Sequence, residues 1–586
     1  MGAHNWLVKR GVGFVLVFSL VASSAACGGD AASSDAVSTS DATDRDAGEL
    51  DLSSSGDDPY VCLPGEQRCS ESGGIESCDD SGLGWTESPC QRYESCIVCV
   101  GDDDPLCEGL DVRCSGPCDP GLDNASSRGC SFVTVWMPRD LEITQVPQVV
   151  EVSNPDSERE ASVQLLEIPM GEREEYPYGE PVTLAPGERH RFELPFLELL
   201  STTSLLRTGS LWRISSDLPV TAHQFAPYDL DSSLNFGGSG GGTLLLPEDA
   251  FLGDFVAVSR HRKFAPTVSE SYFIVVALED ETTVAWEPPM PTVGNGLPVP
   301  PAMAGERVEV TLNRYDWVRV HASAEDPDFP LPDVSGTVIE SNAPVAAFAG
   351  VPCGYVPTES PWGADCDHMQ EQLLPLNFWG QEYVLPHPPV RGPGDAFALR
   401  IYAAGAGTVS ETTGTGLGPW TFAARGEWVE VLVDASQFAA GEAGLVLTGD
   451  TAFMPVIYLR SAALAGGTQV LSTGDPAMTQ VLPTAQYLSR QSVATPETFF
   501  ENHIQLLRPA GGAAIRADGS EVEGWTSVGD YETTSLVVGP ASVVILDSEG
   551  AFGVLRYGFM GSEAEPVNGA AYAGIGSLGF EELTTP

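Results

Sequence analysis

The sequence predicts an all-β protein with a four-unit internal repeat, preceded by a small disulfide-rich module. Three observations carry this. Short β-branched and aromatic runs separated by Gly, Pro and Asp turns fill residues 130–586, with no long amphipathic helix among them. Two motifs recur at intervals of roughly a hundred residues. Ten of the 13 cysteines crowd between Cys62 and Cys130. At 586 residues the chain exceeds what one core usually organises. Its 82 Asp and Glu against 28 Lys and Arg, a formal charge of −54, exclude nucleic acid as a partner.

Residues 1–27 read as an export signal of the lipoprotein type. Lys9 and Arg10 precede an apolar stretch from Val12 to Val21, too short to span a membrane, and small residues lead to Cys27. "SSAAC" resembles the bacterial lipobox, in which the cysteine becomes the lipidated first residue; Ser24 stands where leucine is usual, so an ordinary signal-peptidase cut is the alternative. Lipidation of Cys27 would leave twelve cysteines, an even number suited to disulfides. Residues 28–59, rich in Ser, Asp, Ala and Gly, have too little apolar surface to fold and read as a disordered acidic tether of about 30 Å.

Residues 60–129 form the cysteine-rich module. Together with Cys130 at its end, it holds Cys62, Cys69, Cys78, Cys90, Cys96, Cys99, Cys107, Cys114 and Cys118, with a connectivity that spacing does not reveal. The C-x-x-C of Cys96 and Cys99 invites a zinc reading, but an exported chain without nearby His pairs favours disulfides.

In the β region "ERVEVTLNRYDWVRV" alternates, with Val308, Val310 and Leu312 on one face and Arg307, Glu309 and Thr311 on the other. The first motif, as in "GTVIESNAPVAAFAG", is anchored at Pro219, Pro344 and Pro455, with Ala551 in the fourth copy; the second, as in "EQLLPLNFWGQEYVLP", at Pro247, Pro375 and Pro483. A β-propeller-like closed ring and tandem β-sandwiches both fit. Because the first copy lacks an opening "LLLP" strand while the last runs on through "AYAGIGSLGF", a C-terminal strand completing the first sheet would hide both edges, which favours the ring.

The strings "ISSDLPVTAHQFAP", "LLLPEDAFLGDFVAV", "YFIVVALEDETTV", "CDHMQEQLLPLNFWGQEYVLP" and "FGVLRYGF" resemble the N-terminal domain of IgG Fc-binding protein over about residues 130–565. The leader, tether and "CLPGEQRC" module resemble myxobacterial surface lipoproteins carrying that domain. The resemblance implies a non-catalytic extracellular domain for binding or adhesion. It does not imply antibody binding, because the family name comes from a mammalian member.

Residues 336–375 pose the sharpest chemical question. Cys353 and Cys366 are expected to close a local disulfide worth about 3 kcal/mol on the chain-entropy model. His368 with Asp365 and Asp367 would suit a cation, but a hydrogen-bonding corner explains it more simply, and no metal is expected. Asp367, Gln372 and Pro375 match Asp475, Gln480 and Pro483 of the next copy, so the shared part reads as structural. Tyr355, Trp362, Phe378 and Trp379 offer a sugar or protein contact surface, with a core role favoured for Phe378 and Trp379. No G-x-S-x-G, H-E-x-x-H or phosphate-loop Lys is present, so neither catalytic residue nor cofactor is expected.

The reading is therefore an exported outer-membrane lipoprotein, displayed on the cell surface and touching the membrane only through its anchor. It binds an extracellular protein or glycan through loops such as 226–243 and 352–366. A surface glycan hydrolase and a purely structural spacer are the rival readings.

Overall fold

The computed structural model describes residues 61–579, apart from 100–106, 108–109, 111, 120–125, 139–146, 196–203, 227–240, 252, 262–269, 297, 324–330, 357–365, 393, 462–473, 500 and 560–570. The signal and tether regions lie outside the described residues. Those described form strands and a few three-residue 3-10 turns, so the all-β class holds.

In the cysteine-rich region Gln67–Cys69, Ile75–Cys78 and Trp85–Ser88 make a three-stranded sheet, and Ser95–Val98 pairs with Val112–Ser115. The bonds are Cys62–Cys78, Cys69–Cys96, Cys90–Cys114, Cys99–Cys107 and Cys118–Cys130. Cys96 and Cys99 thus belong to different bonds, which leaves no thiolate pair for zinc. Cys130 lies in the strand Gly129–Val135, so the last bond staples this region to the first large sheet.

Long strands organise everything after it. The first half of Leu211–Ala226 pairs with Gly129–Val135 and Ala161–Ile168; its second half pairs with Gln148–Ser153 and Gly241–Leu245. One strand therefore serves two sheets. The register slips between Ser215 and Val220, around Pro219, which has no N–H to give to a ladder. Gly444–Leu459 and Val543–Phe559 divide their pairing in the same way. Val338–Ser341 and Val345–Gly354 are two separate strands, broken at Asn342–Pro344. The first recurring motif is thus the bend at which a strand changes sheets. The second marks the exit from a sheet: Pro247, Pro375 and Pro483 each cap a 3-10 turn. Faces follow the alternation read from the sequence, since in Val308–Leu312 Glu309 and Thr311 are exposed while Val310 and Leu312 are buried.

Four strands, each at one end of a larger sheet and called inner strands below, meet one another. Gly241–Leu245 packs against Asp367–Gln372 and Ala571–Ile575, and Met478–Gln480 packs against the same two. Each is buried along its whole length, polar residues included. Gln372 Oε1 accepts from the Leu246 N–H at 2.6 Å, and the equivalent Gln480 Oε1 accepts from the Leu374 N–H at 3.1 Å. At these two junctions a glutamine thus clamps the backbone of the preceding sheet.

The first and last described strands of the β region also meet. Leu578 exchanges hydrogen bonds with Ser127 at 2.8 and 3.1 Å, Arg189 pairs with Glu497 at 2.9 Å, and Val149 and Phe225 pack with Phe499 and Tyr572. The C-terminal strand expected to complete the first sheet does not do so. Ala571–Ile575 pairs with Val543–Phe559, and Gly241–Leu245 completes the first sheet from within its own segment, because that strand follows the long strand directly.

Glu371 lies at this junction, accepting from Thr243 Oγ1 at 2.9 Å and from the Gln480 N–H at 3.3 Å. Burial outweighs these bonds and pushes its pKa up to about 8 from 4.5. Its folded value exceeds the unfolded one, so its stabilising contribution is complete below pH 4.5 and is lost as pH rises toward 8. Glu371→Gln keeps the shape and should flatten this loss, gaining on the order of a few kcal/mol over the native chain at pH 8 and little at pH 4. Denaturant unfolding of both proteins from pH 4 to 9 checks it, and parallel curves would refute the assignment.

Candidate functional site

A cavity of about 580 Å3 opens between two neighbouring segments, one wall coming from residues 287–338 and the other from 419–429. Trp428 begins the strand Trp428–Asp434 and Trp420 begins Trp420–Phe422, so both indoles sit at strand ends facing the opening. Pro288, Pro289 and Pro419 add rigid apolar surface. Glu287 and Glu427 line the same groove. Its one lining guanidinium, Arg425, is already paired with Asp254 at 2.7 Å, so the lining leaves negative charge uncompensated.

Trp428 is held from behind. Its Nε1 donates to the Ser335 carbonyl at 3.2 Å, and the buried Arg400 guanidinium lies 4.1 Å from its ring centroid. Arg400 donates in turn to Glu430 at 2.7 Å and to Asp333 at 2.9 Å, while Arg260 forks onto Glu430 at 2.9 and 3.1 Å. Burial alone would raise the Asp333 carboxyl, yet Arg400 and His261 hold it far below the usual carboxylate range. Burial likewise opposes ionisation of Glu430, but Arg260 and Arg400 bring it down to about 2. The network is thus ionised at any ordinary pH and ties two strands, Ala396–Ala403 and Trp428–Asp434, to the loops that carry Arg260 and Asp333. With 36% of its surface exposed, Trp428 is a fixed platform.

The two walls touch through glycines. Gly336 and Gly426 adopt φ of +89° and +81°, and a Cβ on Gly426 would lie 2.3 Å from the Gly336 carbonyl oxygen. Gly426→Ala should therefore cost a few kcal/mol and part the walls. A lowered melting temperature with a red-shifted tryptophan emission is the expected outcome; an unshifted emission would show that the walls do not depend on this contact.

Residues singled out from the sequence fall elsewhere. Cys353 and Cys366 are bonded, with Cα atoms 5.1 Å apart. His368 is buried within the strand Asp367–Gln372, and its backbone N–H donates to Asp367 Oδ1 at 2.8 Å; Asp365 and Trp362 lie outside the described residues. Phe378 and Trp379 are core residues, Trp379 donating to the Leu374 carbonyl at 3.0 Å. Tyr355 gives its carbonyl to Arg260. Most of loops 226–243 and 352–366 lies outside the described residues. Among the described residues the one cluster spaced for a metal, Cys90, Glu94 and Cys114, spends both thiols in a disulfide. The groove went unread in the sequence. Its signal was the alternation of "EWVEVLVD" with a tryptophan at its head.

The profile of the family described as IgGFc binding protein matches residues 241–558, just over half of the chain and every residue of the groove. An 83-residue segment, 14% of the chain, is 34% identical to the IgGFc-binding protein of Homo sapiens, of which it spans 1%. Among solved structures an anti-sigma factor domain-containing protein from Clostridium clariflavum aligns at 8% identity over 58% of this chain and 82% of its own, but its TM-score of 0.09 carries no argument. The groove and three of the four inner strands, all but Ala571–Ile575, thus fall inside a profile covering more than half of the sequence: the chain belongs to the IgGFc-binding protein family.

Proposed function

We propose that this protein is a non-catalytic binding module of the cell surface, lipidated at Cys27, carried on the acidic tether 28–59 and contacting an extracellular macromolecule through its β domain, residues 130–586. The observation that carries it is the rigid aromatic groove inside the family-matched region, with Trp428 braced by Arg400 and Ser335. A preformed apolar groove with a few fixed polar groups suits recognition. The acidity of the chain favours basic or neutral partners over nucleic acid. The family name supports binding as the role; which partner this chain takes is its own question.

The same reading has the β domain close as a ring of four units. It is supported by the cyclic packing of the inner strands and by the bonds between Ser127 and Leu578. If the ring closes, deleting residues 566–586 should speed hydrogen exchange near 127 and 189 as well as near 550. Change near 550 alone would favour independent sandwiches.

Adhesion of cells lacking the protein, or carrying Cys27→Ala or Trp428→Ala, tests the function. Adhesion should fall in all three, with Cys27→Ala releasing the protein from membranes. Normal adhesion in the deletion strain, together with turnover of a glycan by the purified chain, would favour the hydrolase.

A further inference from the structure

The sheets that carry the inner strands each end outward in one strand, and three of the four outward strands are protected. Arg189–Leu194 carries Arg189, Arg191 and Glu193, with both arginines paired to Glu497. Asp316–Ala322 is covered by Leu205–Thr208, an antiparallel strand supplied by the preceding segment. Tyr531–Val538 is covered by Thr526–Val528. Charging or covering an edge are the usual ways to prevent stray strand pairing. Trp428–Asp434 is not covered: it pairs with Ala396–Ala403 on one side and, among the described residues, with no strand on the other, and its two charges are engaged elsewhere, Glu430 with Arg260 and Arg400 and Asp434 with the Ser436 N–H. Leu432 on it is 47% exposed.

The covered edge shows what the open one lacks. Trp317 and Trp428 sit alike, each near the start of its strand and each donating from Nε1 to a carbonyl of the preceding segment, Gly209 at 2.7 Å and Ser335 at 3.2 Å. Under the covering strand Trp317 is fully buried, with the Arg207 guanidinium of that strand 6.0 Å from its ring, whereas Trp428 stays open. We infer that the edge of Trp428–Asp434 is a strand-addition site for an extended peptide of a partner protein, apolar with one basic residue, as Leu205–Thr208 is. Its cation belongs at the head of the strand, where Glu287 and Glu427 supply the matching charge. The inference rests on the binding role proposed above and names the partner's chemistry.

The probe is a synthetic peptide of residues 204–210, Ser-Leu-Leu-Arg-Thr-Gly-Ser, titrated against the purified full chain. Binding is expected. It should weaken at least about tenfold with Leu432→Lys, which leaves the fold intact at an exposed site, and with glutamate replacing the peptide's arginine. N-methylation of alternate peptide nitrogens, which keeps the side chains but removes ladder bonds, should abolish it. Equal binding by the methylated peptide overturns the inference. So does binding indifferent to Leu432→Lys, which would place the peptide at the covered edge, and so does dimerisation of the chain through the open strand. The titration reads the edge alone and adhesion reads the role, so the two fail separately.

Discussion

The molecule depends on burying polar side chains where its inner strands meet. Gln370, Glu371, Gln372 and Gln480 are buried, and a buried polar group without a partner costs more than most apolar contacts return. Their partners lie on neighbouring strands: Gln224 donates to Gln370, Thr243 to Glu371, and the Leu246 N–H to Gln372. The strands Gly241–Leu245, Asp367–Gln372 and Met478–Gln480 therefore complete one another's hydrogen bonding. An apolar junction would tolerate sliding, but these bonds permit one register.

The groove repeats that logic with full charges. Arg260 and Arg400 are buried, and neither would be tolerated there without Glu430 and Asp333. The four groups span the junction between two segments, so the ion network that holds the segments together also sets the angle of Trp428. Binding surface and scaffold share one set of interactions. Gly336 and Gly426, pressed together at positive φ, bring the walls to the distance at which this network can form.

The bends of the long strands explain why two motifs were visible at all. A strand that changes sheets needs a bulge, and proline or a short polar run supplies it, so "SSDLPV" and "SNAPVA" leave a signature. A strand leaving a sheet needs a proline-capped turn, which wrote "LLLP" and "QLLP" into the chain. The aromatic groove left only the alternation of "EWVEVLVD", because its two walls come from separate segments and its tryptophans read as ordinary strand residues.

Sequence alone determined the all-β class, the recurrence of its motifs, the family and the crowding of cysteines, since each is written in local pattern: alternation, turn residues and spacing. It also marked Gln372 and Gln480 as structural through their matching positions. Tertiary structure decided how the cysteines pair, that the terminal strand stays with the last sheet, and that Phe378 and Trp379 are core while Trp428 is open. It alone paired Arg400 with Asp333 and Glu430. The reason is physical. Whether an aromatic is buried or an arginine neutralised depends on a surface supplied by another part of the chain, and alternation says only that one face of a strand needs covering, not what covers it.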